Sequence, residues 1–221
     1  MSNEQGRKTR YMEKKKDAAF LQNTRKPLGE DGKKMLEIMN GGHHEVLANW
    51  GLSQIEINPG SDMLDAGCGG GANLKRLLAK CPDGHVTGID YSFTSVKVSI
   101  SVNEKNIKAG MCDVFMADIN GLPFEDCSFD FVSAFETVYF WPTVEHAFGE
   151  VFRVLRKGGM FFICNESDGR DQSSIDNSKI ISGMKLYTPE DLEGIMAEAG
   201  FREINHFSNP ELSHIVVCGI K

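Results

Sequence analysis

One segment restricts the possible folds of this chain more than any other: a glycine-rich loop between a short apolar strand and an amphipathic helix. Residues 65–73 read DAGCGGGAN. Apolar residues precede the loop at 63 and 64 and recur after it at 74, 77, 78 and 81, the spacing of one buried helix face. Glycines here permit a tight turn, let the backbone approach a ligand and leave the first helical N–H groups pointing at it. The loop therefore predicts a ligand site at the end of a buried strand.

Strands and helices alternate along the rest of the chain. Runs rich in apolar and β-branched residues predict the strands, and runs with helical spacing predict the helices between them. Strands are expected at 63–66, 86–90, 112–117, 129–135, 160–164, 201–207 and 213–219, and helices at 32–40, 43–50, 74–81, 143–155 and 188–199. This alternation predicts an α/β protein with a doubly wound sheet.

Three local expectations follow from cap and turn residues. Ser92 is expected to cap a helix that carries Phe93, Val96 and Ile100, and Thr188 is expected to cap the helix at 188–199. The Lys-Gly-Gly sequence at 157–159 is expected to end the helix before it and to lead into the next strand.

Composition places the chain among ordinary globular proteins. Apolar residues make up 41% and charged residues 25% of its 221 residues, enough for one sizeable domain with a small cap. There is no run of about 18 apolar residues, and the N-terminus lacks the apolar core of a secretory signal. None of the six cysteines belongs to a C-x-x-C pair. A cytoplasmic protein with reduced cysteines, no structural zinc site and no membrane contact is therefore expected.

Charge is distributed unevenly. Residues 1–40 contain ten Lys or Arg and six Asp or Glu, a net charge of +4. Residues 41–221 contain fourteen Lys or Arg and twenty-five Asp or Glu, a net charge of −11, and the whole chain therefore has a net charge of −7. An acidic body repels nucleic-acid phosphates, which favours a small-molecule partner over nucleic acid. The basic N-terminal arm is interpreted as a solvated extension, with guidance of an anionic partner as the alternative.

The loop and the strand after it together indicate a ligand that contains a nucleoside. Gly67, Gly69 and Ala72 match the G-x-G-x-x-G/A pattern, and Asp90 ends the next strand nineteen residues beyond Gly71. A carboxylate at that point reaches the two hydroxyl groups of a ribose.

Acidic residues at the strand ends distinguish between two such ligands. A dinucleotide would bring its pyrophosphate against Asp65, two residues before the first glycine, and the charges would repel. S-adenosylmethionine carries an ammonium and a sulfonium group instead of phosphates. It is compatible with a pocket lined by Asp65, Asp90 and Asp118, which are expected at the ends of three successive strands.

Four stretches of sequence carry a family resemblance. They read LDAGCGGG, VTGIDYS, MADINGLPFEDCSFDFV and FGEVFRVLRKGGMFFI. In order and spacing they resemble the motifs of class I S-adenosylmethionine-dependent methyltransferases of the small-molecule type. The resemblance implies a Rossmann-like seven-stranded sheet of order 3-2-1-4-5-7-6 with strand 7 antiparallel. It also implies an N-terminal helical cap at 1–55 and a methyltransferase domain at 56–221.

The resemblance also implies roles for single residues. The loop glycines would pass close to the methionine part of S-adenosylmethionine, and Asp90 would bind its ribose hydroxyls. Asp118 and the Ile119 N–H would bind the adenine, whereas the Phe135 carbonyl and Glu136 would lie beside the ammonium or the entering acceptor. The expected cofactor-binding residues are Asp65, Gly67, Cys68, Gly69, Gly71, Asp90, Tyr91, Asp118, Ile119, Phe135 and Glu136.

Several of these positions have a structural alternative. Asp118 could start a turn, and Asp65 could hold the glycine loop by accepting backbone N–H bonds. Cys68 is interpreted as a small filler residue rather than a nucleophile. Tyr139 and Trp141 follow the fourth strand, where open α/β sheets bind ligands, so a place in the pocket wall is favoured over the core.

Residues that handle the acceptor are harder to predict, because in-line methyl transfer needs alignment and exclusion of water, and only some acceptors need a base. His43, His44 and Tyr139 are candidate catalytic residues, with Asn165 and Glu166 at the end of the fifth strand and Tyr11 in the N-terminal arm as further candidates. Adjacent histidines are expected on different helix faces, which makes them a poor metal pair, so no metal is expected.

The leading hypothesis is a methyltransferase acting on a nucleophilic N, O, S or C atom of a small molecule, as a monomer or homodimer. A nucleotide-dependent oxidoreductase is disfavoured by Asp65 and Asp118. A non-catalytic cofactor-binding protein and a protein or RNA methyltransferase are the alternatives. Residues 135–138 read FETV and lack the Asn/Asp-Pro-Pro-Tyr/Phe-like run expected for RNA.

Overall fold

The computed structural model describes residues 18–221 and contains one seven-stranded sheet. Its strands are β1 (Asp62–Ala66), β2 (His85–Asp90), β3 (Cys112–Met116), β4 (Phe129–Phe135), β5 (Leu155–Asn165), β6 (Arg202–Asn209) and β7 (His214–Ile220). Their order is β3-β2-β1-β4-β5-β7-β6. Strand β7 is antiparallel to both neighbours, and the other pairs are parallel. The predicted order and the antiparallel seventh strand are confirmed.

Helices connect the strands and precede β1. They are α1 (Ala18–Leu21), α2 (Gly29–Met39), α3 (His43–Leu52), α4 (Ala72–Lys80), α5 (Phe93–Val102), α6 (Glu104–Lys108), α7 (Val144–Val154), α8 (Gln172–Ile180) and α9 (Pro189–Ala199). Short 3₁₀ turns cover Gln22–Thr24 and Val138–Phe140. Helices α6 and α8 were not expected, because their sequences, EKNIK and QSSIDNSKI, show no apolar face.

Helices cover both faces of the sheet. Alternate residues of a strand point to opposite faces, and Met63 and Leu64 of β1 accordingly belong to different apolar clusters. Helices α7 and α9 pack on one face through residues such as Phe148 and Met196. Helices α3 and α4 pack on the other, with Leu47 in the same cluster as Met63.

Helix α3 belongs to the same core as the sheet. Its residues Leu47 and Leu52 are only 1% and 2% exposed. They share a buried cluster with Phe162 of β5. The division into residues 1–55 and 56–221 stays a prediction, and this packing favours grouping α3 with the sheet.

Small side chains form part of the buried face of α5. Phe93 and Ile100 are 61% and 42% exposed, whereas Ser95 and Ser99 are fully buried. A Cβ on Gly71 of the glycine loop would lie 2.4 Å from the Ser99 Oγ. The close approach of this helix to the loop therefore requires small side chains on its inner face.

Residues 157–159 lie inside β5 rather than before it. Helix α7 is followed directly by β5, which starts at Leu155. The pairing of β5 with β4 shifts register just after Phe129, and the Gly158 N–H donates to the Lys221 carbonyl (3.0 Å). These contacts extend the strand through the glycines, so the prediction that the glycines separate a helix from a strand is wrong.

Two findings concern membrane contact and cysteine chemistry. Within residues 18–221 no helix combines the length and the apolar character needed to cross a membrane. All six cysteines are free, and five of them are buried, with Cys127 exposed.

Candidate cofactor and acceptor site

A cavity open to solvent lies beside the glycine loop at the carboxyl ends of β1 to β4. Open α/β sheets bind their ligands at this edge. The predicted residues that line it are His44, Gly67, Cys68, Gly69, Asp90, Tyr91, Asp118, Ile119, Phe135 and Glu136. The predicted residues that do not line it are Asp65, Gly71, His43 and Tyr139.

The first turn of the glycine loop is tied to β2 by its backbone. The N–H groups of Gly67 and Cys68 both donate to the Ile89 carbonyl (2.8 Å each). Gly67 has a φ of +90°, and a Cβ at this position would lie 2.4 Å from Thr137 Cγ2. The Thr137 hydroxyl in turn donates to the Ala66 carbonyl (2.9 Å). A glycine is therefore required where β1 passes into the loop.

Gly71 ends the loop and holds α5 against it. Its φ is +80°, in the left-handed region that glycine favours. Its carbonyl accepts a hydrogen bond from Asn103 Nδ2 (2.9 Å), just beyond α5. Gly71 shapes the cavity through helix packing, and its predicted contact with a cofactor stays a prediction.

Asp90 presents a fixed carboxylate to the cavity. Its Oδ1 accepts from the Ser92 N–H (2.7 Å) and its Oδ2 from the Gly69 N–H (3.0 Å). Burial raises the pKa of Asp90, and these backbone bonds oppose the rise. Each carboxylate oxygen has a second lone pair. The group can therefore accept hydrogen bonds from two further hydroxyls without moving.

Asp118 starts a turn and also lines the cavity. It lines the cavity, and its Oδ1 accepts from the Asn120 N–H (2.9 Å) and Nδ2 (3.0 Å). The Gly121 N–H donates to the Asp118 carbonyl (3.1 Å). The turn is therefore confirmed, whereas binding of the adenine by Asp118 and the neighbouring Ile119 stays a prediction.

Asp65 lies inside the sheet rather than on the cavity wall. It is 1% exposed, and its Oδ1 accepts a hydrogen bond from the Ser133 hydroxyl of β4 (2.7 Å). Burial raises its pKa to about 7, with the Ser133 bond lowering it and the Asp90 charge raising it further. The expectation that three acids line one pocket is wrong for Asp65, because β4 holds its carboxyl group within the sheet.

Cys68 lines the cavity with a protonated thiol. Burial raises the pKa of this thiol well above its usual range, and the charges of Asp90 and Asp65 add to the rise. The Sγ donates to the Ser99 hydroxyl (3.7 Å). A thiol that resists ionisation is a poor nucleophile, which supports its interpretation as a filler residue.

Glu136 and Tyr139 form a buried polar cluster after β4. The Tyr139 hydroxyl donates to Glu136 Oε1 (3.4 Å) and accepts from the Ser167 N–H (3.3 Å). The Glu166 N–H also donates to Glu136 Oε1. Burial raises the pKa of Glu136 well above its usual range, and the charge of Glu166 adds to this. Glu136 also has a φ of +59°, a strained conformation of the kind found at functional sites.

His43 and His44, the first residues of α3, approach the same carboxylate. Their Nε2 atoms lie 2.8 Å and 3.7 Å from Glu166 Oε2. Burial disfavours the charged form of Glu166, but the hydrogen bond from His43 and the charges of both histidines lower its pKa overall. The expectation that the two histidines diverge is wrong, because Glu166 of a different element draws both towards one point.

A segment outside the motifs covers one side of the cavity. Residues 24–40, here called the cover segment, contribute Thr24, Arg25, Pro27, Leu36, Met39 and Asn40 to its lining. The Tyr91 hydroxyl donates to the Arg25 carbonyl (2.8 Å), and Asn40 Nδ2 donates to the Gly70 carbonyl (3.1 Å). The sequence did not predict these residues. Both hydrogen bonds are accepted by backbone carbonyls, which every residue has, so no residue type marks them in the sequence.

The sheet order, the glycine loop after β1 and the acid that ends β2 define a nucleoside-binding protein with a Rossmann-like fold. Residues 64–163 match the model of the methyltransferase domain family. Over this part of its length the chain resembles the class I S-adenosylmethionine-dependent methyltransferases.

Known proteins resemble this chain over part or most of its length. Sterol methyltransferase-like 2 of Botryococcus braunii is 36% identical over 107 residues, which are 48% of this chain and 27% of the relative. One solved structure is the complex between the Haloferax volcanii Trm112 methyltransferase activator and a methyltransferase. A chain of that complex superposes with a TM-score of 0.75 at 17% sequence identity, and the match covers 86% of this chain and 94% of that chain. Phosphoethanolamine N-methyltransferase 2 of Haemonchus contortus, solved with S-adenosyl-L-methionine, has a TM-score of 0.69 at 18% identity, covering 79% and 52%.

These similarities differ in what they establish. At such low identities the solved structures establish the fold. This chain spans less than half the length of the curated relatives it matches, between 27% and 44% for those compared.

Proposed function

We propose that this protein transfers a methyl group from S-adenosylmethionine to an N, O, S or C atom of a small-molecule acceptor. The observation that carries the proposal is the Asp90 carboxylate, fixed by two backbone N–H groups on the wall of a cavity that the glycine loop also lines. When bound, S-adenosylmethionine supplies an activated methyl group on its sulfonium.

The residues at the donor end of the cavity fit this cofactor. Gly67 and Gly69 expose loop backbone to the cavity, so a ligand can approach it without meeting a side chain. Asp90 offers free lone pairs to the ribose hydroxyls, and Asp118 lies after the third strand, where the adenine is expected. Arg25 of the cover segment also lines the cavity, and its Nη1 donates to the Ser182 carbonyl (3.1 Å).

The acceptor is proposed to enter beside Glu136 and His44. Trp141 contributes an apolar wall on this side, which helps to exclude water from the transfer. His44 lines the cavity, whereas His43 and Tyr139 lie outside its lining. A base is needed only where the acceptor loses a proton, and His44 is the candidate for that role.

Calorimetric titration with S-adenosylhomocysteine tests the donor end. The D90A variant should bind about a hundredfold more weakly or worse, because each hydrogen bond to a charged acceptor contributes roughly 1.5–3 kcal/mol. The D113A variant removes an exposed acid of β3 and should bind like the wild type. Comparable affinity for NAD would overturn the proposal.

Transfer of a labelled methyl group tests the complete activity. The acceptor panel should contain amines, phenols, thiols and a sterol, since the curated relatives are named as sterol and squalene methyltransferases. Labelled product is the expected result. Tight S-adenosylhomocysteine binding with no product from any acceptor would favour a non-catalytic binding protein instead.

The cellular setting is part of the same proposal. We propose a cytoplasmic location, supported by six free cysteines, which suit a reducing compartment. Residues 1–55 are proposed as a cap on the methyltransferase domain at 56–221. A monomer or homodimer is proposed, and light scattering would determine which form is present.

A further inference from the structure

Two imidazoles and a carboxylate converge where α3 begins and β5 ends. The Nε2 atoms of His43 and His44 lie 2.8 Å and 3.7 Å from Glu166 Oε2. One ring nitrogen of each histidine and one carboxylate oxygen of Glu166 all lie within 4.8 Å of one another. We propose that His43, His44 and Glu166 bind one divalent transition-metal ion.

The spacing of these atoms suits such an ion. Zn²⁺ binds histidine nitrogen at about 2.0–2.1 Å and carboxylate oxygen at about 2.0–2.2 Å, and tetrahedral ligands are therefore about 3.3–3.5 Å apart. The distances from His43 Nε2 and His44 Nε2 to Glu166 Oε2, 2.8 Å and 3.7 Å, lie on either side of that separation. Small side-chain rotations would therefore bring the three ligand atoms to the spacing that one ion requires. Two nitrogen ligands favour a first-row transition metal over Mg²⁺ or Ca²⁺, which prefer oxygen ligands.

The charges around the cluster favour a cation over two separate protons. The rings of His43 and His44 are 4.2 Å apart between centroids, so two imidazolium ions would repel each other while sharing one carboxylate. A single ion lets both rings bind as neutral ligands. The α3 N-terminus carries a partial positive charge that opposes a cation, and Glu166 offsets it.

Groups behind the three residues are compatible with this assignment. The Glu166 N–H donates to the Glu136 carboxyl group, which connects the cluster to the polar residues after β4. His214 of β7 is buried (5% exposed) near Glu166 and His43.

The ion would be accessible from the cavity. His44 lines the cavity, and three protein ligands leave at least one coordination position open, as in catalytic rather than structural sites. With the ion bound, His44 is a ligand and no longer a base, and the open position can hold an oxygen or nitrogen atom of a second molecule. Metal binding requires neither the cofactor nor methyl transfer, so it stands independently of the proposed function.

Cobalt titration of the untagged, chelator-treated full chain tests the site. One equivalent of Co²⁺ should produce visible absorption typical of nitrogen and oxygen ligands, and Zn²⁺ should displace it. The H44A and E166Q variants should each weaken Co²⁺ affinity at least tenfold to a hundredfold, since even residues behind the ligands have effects of that size. Excess Mg²⁺ should not compete.

A matched control separates this site from ordinary surface histidines. His206 Nδ1 lies 2.7 Å from Glu193 Oε1, a single exposed histidine–carboxylate pair, and the H206A variant should bind Co²⁺ like the wild type. The circular dichroism spectrum and the thermal unfolding of every variant report whether it folds. The proposal is overturned by the absence of saturable Co²⁺ binding, by unchanged affinity in both H44A and E166Q, or by a thiolate-to-cobalt band that places the ion on Cys127.

Discussion

Asp65 and Asp90 end neighbouring strands, but their carboxyl groups lie in different surroundings. Asp90 accepts two backbone N–H bonds at the cavity wall. Asp65 has the Ser133 hydroxyl as its hydrogen-bond donor inside the sheet. A buried carboxyl group with one neutral donor favours its protonated form, which is why burial raises the pKa of Asp65 to about 7.

The D65N variant should change how stability depends on pH. In the wild type the folded state holds a proton that the unfolded state releases near pH 4, so stability is lost as the pH rises from about 4 to about 7. Asparagine does not titrate and its oxygen can still accept from Ser133. The unfolding free energy of D65N minus that of the wild type should be roughly 2–3 kcal/mol larger at pH 8 than at pH 5, as measured by urea unfolding.

The S208A variant provides a control for this pH effect. Ser208 is an exposed residue of β6 without a titratable side chain, so its substitution should shift the unfolding free energy equally at both pH values. If D65N also gave the same difference at pH 5 and pH 8, Asp65 would titrate normally and the described burial of its carboxyl group would be incorrect.

Single residues differ in how far the sequence determines their surroundings. The place of Asp90 follows from its position at a strand end after a glycine loop, and the structure puts it on the cavity wall. The place of Asp65 depends on Ser133, 68 positions away. The meeting of His44 with Glu166 likewise depends on two distant elements, and no local pattern records such a contact.

At the scale of elements, the glycine loop and α5 form one packed unit. The loop carbonyl of Gly71 accepts from Asn103 Nδ2, and Ser99 fills the space that a side chain at Gly71 would need. Asp90, which precedes α5, accepts from the Gly69 N–H of the same loop. A displacement of α5 therefore moves the cavity wall.

The G71A variant should be clearly less stable than wild type and should bind S-adenosylhomocysteine more weakly. Its Cβ would lie 2.9 Å from the Ser99 Cα as well as 2.4 Å from the Oγ, so the backbone of α5 must shift. Overpacking of this kind costs about 1–3 kcal/mol, in addition to about 1–2 kcal/mol for the left-handed backbone. Thermal unfolding and calorimetric titration measure the two effects.

Gly110 offers a control with similar backbone strain and no crowding. Its φ is +71° and a Cβ there would meet nothing within 4 Å. The G110A variant should therefore lose only the backbone contribution and keep its affinity for S-adenosylhomocysteine. Equal stability losses in G71A and G110A would show that contact with Ser99 is unimportant.

The elements themselves were largely predictable, because periodic apolar residues, the Ser92 cap and the Thr188 cap mark them in the sequence. Both caps are present, since Ser92 accepts from the Ser95 N–H and Thr188 from the Asp191 N–H. The inner face of α5 was not predictable from hydrophobicity, because proximity to a glycine loop selects small residues. The start of β5 was missed for a different reason: its glycines pair with the chain end at Lys221.

At the scale of the whole molecule, the cover segment closes the cavity with residues from outside the motifs. The Ser92 hydroxyl donates to the Pro27 carbonyl (2.7 Å), and the Tyr91 hydroxyl donates to the Arg25 carbonyl (2.8 Å). Both donors directly follow Asp90. A ligand that binds Asp90 therefore lies next to the attachment of the cover segment to the sheet.

Hydrogen exchange with and without S-adenosylhomocysteine should detect this coupling. A ligand enclosed between the sheet and the cover segment stabilises the closed arrangement, so amides in residues 24–40 and in the glycine loop should exchange severalfold more slowly. Helix α9 contributes no residue to the cavity and should exchange at an unchanged rate. Protection restricted to the glycine loop would mean that the cover segment does not enclose the ligand. Slower exchange in both regions would show that the cofactor site is built from the cover segment as well as the glycine loop, because both contribute residues to the cavity.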